Sequence, residues 1–215
     1  MTELRLQYCL SNGIELGIDE AGRGPLFGRL YVAGVVLPKE PILFQSNTKI
    51  RDSKKIKSHR KMGELSTFIK ENALAWSITY IEHDVIDEIN IRQAVFRGMR
   101  FIIRDILSKL STTEKTLILI DGNDFVPESG EYENVPFITV EKGDNTFMSI
   151  ACASILPKYA RDEYILELCK EHPELVEKYG LNTNMGYATK KHIDGIREYG
   201  ISQWHRTTFH VKSLA

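Results

Sequence analysis

The chain has 215 residues, 42% of them hydrophobic, which is enough for one well-cored domain with a small appendage and too few for two full domains. Its 28 basic and 29 acidic residues leave a net charge of −1, which excludes gripping nucleic acid by bulk charge and confines any such contact to a local patch. Cys9, Cys152 and Cys169 form no CxxC pair and read as free thiols of a reducing compartment. With no signal-like apolar core and no run of membrane-span length, a soluble, cytoplasmic protein with no membrane partner is expected.

In chain order, Ile14 to Asp19 reads as a short strand and Leu30 to Leu37 as a second, nearly continuously apolar and β-branched. Pro38 to Arg51 reads as a loop. Lys49, Arg51, Lys54, Lys55, Lys57, His59, Arg60 and Lys61 crowd into one stretch, which suits either a phosphate-binding patch or a solvated loop and helix start. Ser58 opens a helical pattern through Met62, Leu65, Phe68 and Ile69. A third strand is expected over Leu74 to Ile81, with Trp76, Ile78 and Tyr80 on one face. From Ile89 to Leu110 the helical spacing of Ile91, Ala94, Val95, Met99, Ile102, Ile103 and Ile106 predicts one long core helix. Thr116 to Ile120 is a fourth, apolar strand and Pro136 to Val140 a fifth. The last core helix runs through Phe147, Ile150, Ala151, Ser154, Ile155 and Tyr159, and Pro157 should kink it or divide it in two. Beyond Glu171 the composition turns polar, with Gly180 to Thr189 as a loop and Lys190 to Tyr199 as a short helix. The expected division is residues 1–170 as a catalytic body and 171–215 as a C-terminal helical extension packed on it.

Acidic residues mark the ends of these elements: Asp19 and Glu20 after the first strand, Asp121 after the fourth, and Asp144 before the last core helix. In an open α/β sheet, ligands gather at strand ends, so these four carboxylates are expected to converge at one edge. Four acids together raise one another's pKa values unless cations neutralise them. Two Mg²⁺ ions about 3.5 to 4 Å apart would do so and would clamp the attacking and leaving oxygens of an in-line phosphoryl displacement. Beside Asp19 and Glu20, the Gly22-Arg23-Gly24 turn lets backbone N–H groups approach a phosphate or sugar closely. Taken alone, the Asp-Glu pair equally suits a solvated strand-to-turn transition.

Gly17-Ile18-Asp19-Glu20-Ala21-Gly22-Arg23-Gly24-Pro25 is followed in order by Asp52-Ser53-Lys54-Lys55, Ile89-Asn90-Ile91-Arg92-Gln93-Ala94 and Ile120-Asp121-Gly122-Asn123. Further on come Lys142-Gly143-Asp144 with Ser149 to Leu156, then Arg161-Asp162, Gly186-Tyr187-Ala188-Thr189 and His205-Arg206-Thr207-Thr208-Phe209. In this order the blocks resemble ribonuclease HII, from about Ile14 to Phe209. The resemblance implies an RNase H-like fold, a five-stranded mixed sheet flanked by helices. It also implies Asp19, Glu20, Asp121 and Asp144 as catalytic ligands of Mg²⁺ or Mn²⁺.

The implied reaction is endonucleolytic cleavage of the RNA strand of RNA/DNA hybrids, and of the phosphodiester 5′ to single ribonucleotides in duplex DNA, leaving a 3′-hydroxyl and a 5′-phosphate. Gly22, Arg23, Gly24 and Tyr187 are the implied readers of the 2′-hydroxyl, the group that separates RNA from DNA. Lys54 is the implied phosphate contact, with Lys158 and Arg161 as weaker ones that also suit structural ion pairs. Nothing in the sequence demands more than a monomer. Two positions depart from the family pattern: Gly28-Arg29 replaces the usual Gly-Pro, and Pro157 replaces a small residue.

Overall fold

A computed structural model describes residues 4–8, 13–41, 43–44, 50, 56, 58–110, 115–127, 129–130, 132 and 134–209. Five strands form one mixed sheet in the order β3-β2-β1-β4-β5: β1 (Gly13–Ala21), β2 (Leu30–Val36), β3 (Ala75–Ile81), β4 (Lys115–Asp121) and β5 (Phe137–Val140). β1 pairs antiparallel with β2 and parallel with β4, while β3 and β5 form the two edges. The helices are α1 (His59–Asn72), α2 (His83–Ile89), α3 (Ile91–Lys109), α4 (Met148–Glu171), α5 (Glu174–Tyr179), α6 (Leu181–Asn184) and α7 (Lys190–Tyr199), with a 3₁₀ turn at Gly143–Asn145.

Side chains on a strand alternate between faces, and here the two faces bury separate cores. Leu16 and Ile18 of β1 and Ile118 and Ile120 of β4 pack with Ala94, Met99, Ile102 and Ile106 of α3. On the opposite face, Ala33 and Val35 of β2 pack with Met62, Leu65 and Ile69 of α1 and with Ala151, Cys152 and Ile155 of α4. Gly17 lies on that second face. A Cβ there would collide with the Ser149–Ile150 backbone, so glycine is what lets the start of α4 rest directly on β1.

Three details differ from the sequence-based expectation. The long helix expected over 89–110 is found as α3 but starts two residues later, after Asn90, whose backbone sits at φ 66°. Its side chain accepts from the Gln93 N–H at 3.1 Å, so α3 starts afresh with Asn90 as its cap and a separate α2 precedes it. Pro157 neither splits nor ends its helix: α4 runs unbroken from Met148 to Glu171 with Pro157 inside, at the loss of one backbone donor. Edge strand β3 forms where expected, with Trp76 and Tyr80 36% and 47% exposed and Ser77 and Ile81 buried, so its aromatic face is the wetter one. The stretch expected as a loop over 180–189 contains the short helix α6.

The tail builds a small core of its own with the end of α4: Ile165, Leu168 and Cys169 pack with Leu175, Tyr179 and Leu181, and with Phe27 from the β1–β2 connection. Phe27 also forms an antiparallel bridge with His205. Among the described residues, no helix is long and apolar enough to cross a membrane.

Candidate active site

The parallel register of β1 and β4 pairs Ile18 with Ile120, so Asp19 and Asp121 stand one step beyond a matched pair. By alternation both lie on the face covered by α4. Asp121 Oδ1 accepts the Gly143 N–H at 2.6 Å and the Asp144 N–H at 3.4 Å, which draws the 3₁₀ turn, and Asp144 with it, to the end of β4. Asp19 Oδ1 accepts the Glu20 N–H at 2.7 Å. Asp19, Glu20, Asp121 and Asp144 thus line a single cleft of about 470 Å³, together with Gly22, Arg23, Gly24 and Tyr187.

Charge is crowded there. Burial above all, then the charges of Asp121 and Glu20, holds the Asp19 carboxyl well above the usual carboxylate range. Glu20 is pushed up to about 7 by burial, although nearby Arg23 pulls it down; the two side chains approach to 3.6 Å. Glu20 Oε2 is buried with no hydrogen-bond partner. Oxygen donors, mutual repulsion and an orphaned carboxylate oxygen together fit a hard divalent cation. Among the described residues, no three His, Cys, Asp or Glu side chains stand together closely enough to hold a metal ion by themselves. Mg²⁺ seldom needs one, since substrate oxygens and water complete its shell.

The remaining sequence candidates sort clearly. Tyr187 stands at the cleft, 47% exposed, and its ring lies beside Gly24. Lys54 and most of the basic stretch around it lie outside the described residues. Of that stretch, His59 faces Glu163 and Arg60 pairs with Glu64.

Lys158 lines the cleft while pairing with Asp162 at 2.7 Å. Arg161 is not placed to touch a phosphate. It is 1% exposed and donates to the carbonyls of Arg29, Met185 and Phe27 at 2.9 to 3.0 Å. Arg29 lies between the Tyr80 and Tyr164 rings and pairs with Glu82 at 2.7 Å. The sequence reading missed Met62, Ser154 and Ile155 as lining residues. The signal for the last two was their place one turn before Lys158 on the same helix.

Solved structures share this architecture. The ribonuclease HII of the Archaeoglobus fulgidus PCNA:RNase HII complex superposes with a TM-score of 0.72 at 23% identity, covering 93% of this chain and 96% of that one. Bst-RNase HIII in complex with Mn²⁺ gives 0.68 at 17% identity, covering 87% of this chain and 63% of that one. The fold is therefore that of the type 2 ribonucleases H. The ribonuclease HII family profile matches residues 16–212, and the ribonuclease HII of Phocaeicola vulgatus is 41% identical over 206 residues, 96% of this chain and 94% of that protein. The chain belongs to the ribonuclease HII family and is a ribonuclease H hydrolase, an endonuclease acting on RNA/DNA substrates.

Proposed function

We propose that this enzyme cuts the RNA strand of RNA/DNA hybrids and the phosphodiester 5′ to a single ribonucleotide in duplex DNA, leaving 3′-hydroxyl and 5′-phosphate ends. The observation that carries the reading is the meeting of four carboxylates with a Gly-Arg-Gly turn and an exposed tyrosine in one cleft. Acids alone would suit many phosphodiesterases; the turn and Tyr187 add a place where a sugar can be read.

In this reading Asp19, Glu20, Asp121 and Asp144 hold Mg²⁺ or Mn²⁺, the latter being the ion in the ribonuclease HIII structure named above. When bound, such ions supply charge neutralisation and an activated water for attack on the phosphate. The chain's own residues do the rest. The bonds from Gly143 and Asp144 fix Asp121 in orientation. Backbone N–H groups of the 22–24 turn donate to the sugar, and the Tyr187 ring closes against it, so that a deoxyribose leaves a donor unmet. Lys54 and Lys158 supply phosphate contacts. The enzyme acts as a monomer, with residues 171–215 serving as an extension of one catalytic body.

The test is incubation with duplex DNA holding one ribonucleotide in Mg²⁺, Mn²⁺ or EDTA, with mapping of the product ends. A cut 5′ to the ribonucleotide that EDTA abolishes is expected. Cleavage elsewhere, or cleavage that survives EDTA, would overturn the reading.

A further inference from the structure

Arg206 is 2% exposed and lies far along the chain from the cleft acids, yet its guanidinium is spent almost wholly on one turn. Nη2 donates to the Gly22 carbonyl at 2.7 Å, Nη1 to those of Pro25 at 2.9 Å and Arg23 at 3.3 Å, and Nε to that of Gly28 at 2.9 Å. Burial, and then neighbouring Arg161, pushes this guanidinium down to about 9. Taking a cation out of water costs several kcal/mol unless hydrogen bonds offset it, and four carbonyl acceptors do so here.

The consequence follows from peptide geometry. All described peptides are non-cis, and in a trans peptide the C=O and the following N–H point in opposite directions. Gly22, Arg23 and Gly24 line the cleft, and Arg206 does not. Turning the Gly22 and Arg23 carbonyls inward to Arg206 therefore turns the Arg23 and Gly24 N–H groups outward. Gly22 sits at φ 95°, and a Cβ there would strike the Arg161 side chain, so the two buried arginines pack the turn from behind.

The same turn is tied to the tyrosine loop. The Leu26 N–H, opposite the Pro25 carbonyl that Arg206 holds, donates to the Gly186 carbonyl at 2.9 Å. Arg206 is itself held at both sides. Its own N–H donates to the Leu26 carbonyl at 2.8 Å, and Asp87 accepts from the N–H and hydroxyl groups of Thr207 and Thr208 at 2.5 to 3.1 Å.

We propose that Arg206 is a positioning residue for sugar recognition: from behind the cleft it sets the direction of the Arg23 and Gly24 N–H groups that meet the ribonucleotide, and Asp87 sets Arg206. This rests on the sugar-reading role given to the turn above. Lysine keeps the charge but concentrates its donors at one point and cannot span four carbonyls.

The experiment compares binding, in EDTA, of a duplex containing one ribonucleotide with that of the matching all-deoxy duplex, for wild type, Arg206→Lys and Asp87→Ala, each normalised to its folded fraction. Arg206→Lys is expected to reduce the ribonucleotide preference by about tenfold, the worth of one or two oriented hydrogen bonds. Asp87→Ala should lower it in the same direction by about threefold, and decides the matter if the lysine variant does not fold. A role confined to stability lowers the folded fraction and leaves the preference unchanged, and that result overturns the proposal. Absence of any preference in the wild type overturns the sugar-reading role itself, and is distinguished by needing no variant.

Discussion

Asp19 and Asp121 sit on adjacent parallel strands, each one residue past the paired Ile18 and Ile120, so two acids about a hundred positions apart become neighbours through strand register alone. The charge of Asp121 raises the pKa of Asp19, which is repulsion stored in the metal-free fold. Asp121→Asn keeps an oxygen to accept from Gly143 and removes the charge. The variant should lose cleavage by at least about a thousandfold while remaining folded. In EDTA its melting temperature should rise by about 2 to 4 °C if the relief is near 1 kcal/mol. Cleavage at the wild-type rate would remove Asp121 from the metal site.

Glu20 gives the metal-free protein a pH dependence of definite sign. Its carboxyl sits near 7 in the fold against an ordinary value of 4.5. The folded state therefore binds the extra proton between these values, and the contribution present at low pH is lost as the pH rises through about 7. The full effect is up to about 3 kcal/mol. Thermal melts in EDTA should show a loss between these limits that Glu20→Gln removes and Mg²⁺ suppresses. A profile identical in wild type and variant would refute it.

The buried histidines act in the opposite direction. The Ser202 N–H donates to His205 Nδ1 at 2.9 Å, so His205 carries its proton on Nε2 and donates to His192 Nε2 at 3.0 Å. His192 then donates from Nδ1 to the Tyr187 carbonyl at 2.9 Å. An added proton breaks a link of this chain, and burial with the neighbouring His192 pulls His205 down to about 4. Stability from His205 is full above the ordinary value of about 6.5 and is lost as the pH falls toward 4, up to about 3 kcal/mol. An NMR titration of the His205 ring reads this directly, and a midpoint near 6.5 would contradict it.

Tyr187 is half exposed, so Tyr187→Ala should change stability by less than about 1 kcal/mol. Its cleavage at a single embedded ribonucleotide should fall by about tenfold or more. Single-turnover rates and denaturant melts on the same preparation separate the two. Proportional losses in both would make Tyr187 a structural residue.

Where local pattern decides the outcome, the sequence is a good guide. Apolar runs placed β1, β2 and β4 to within a residue or two, and with them the positions of Asp19 and Asp121. The short α2 ahead of Asn90 was hidden because its apolar residues run on into the spacing of α3, while one left-handed residue separates the two helices. The wet face of β3 follows from its place at the sheet edge, which no window on β3 itself contains. The buried roles of Arg161 and Arg206 were out of reach for a similar reason: Arg161 donates to the Phe27 carbonyl 134 residues away and Arg206 to that of Gly22, 184 residues away.

That separation also sets an order of events during synthesis. The Gly22 carbonyl receives its bond from Arg206, 184 residues later, and at about 5 to 20 residues per second a nascent chain waits on the order of ten seconds for that partner. Four of the five strands, β1 and β4 with their acid pair among them, are complete once Asp121 has been made. The turn beside them is set only when Arg206 has left the ribosome. A chain stalled before residue 206 should hold its strands, yet exchange its Arg23 and Gly24 amides freely with solvent.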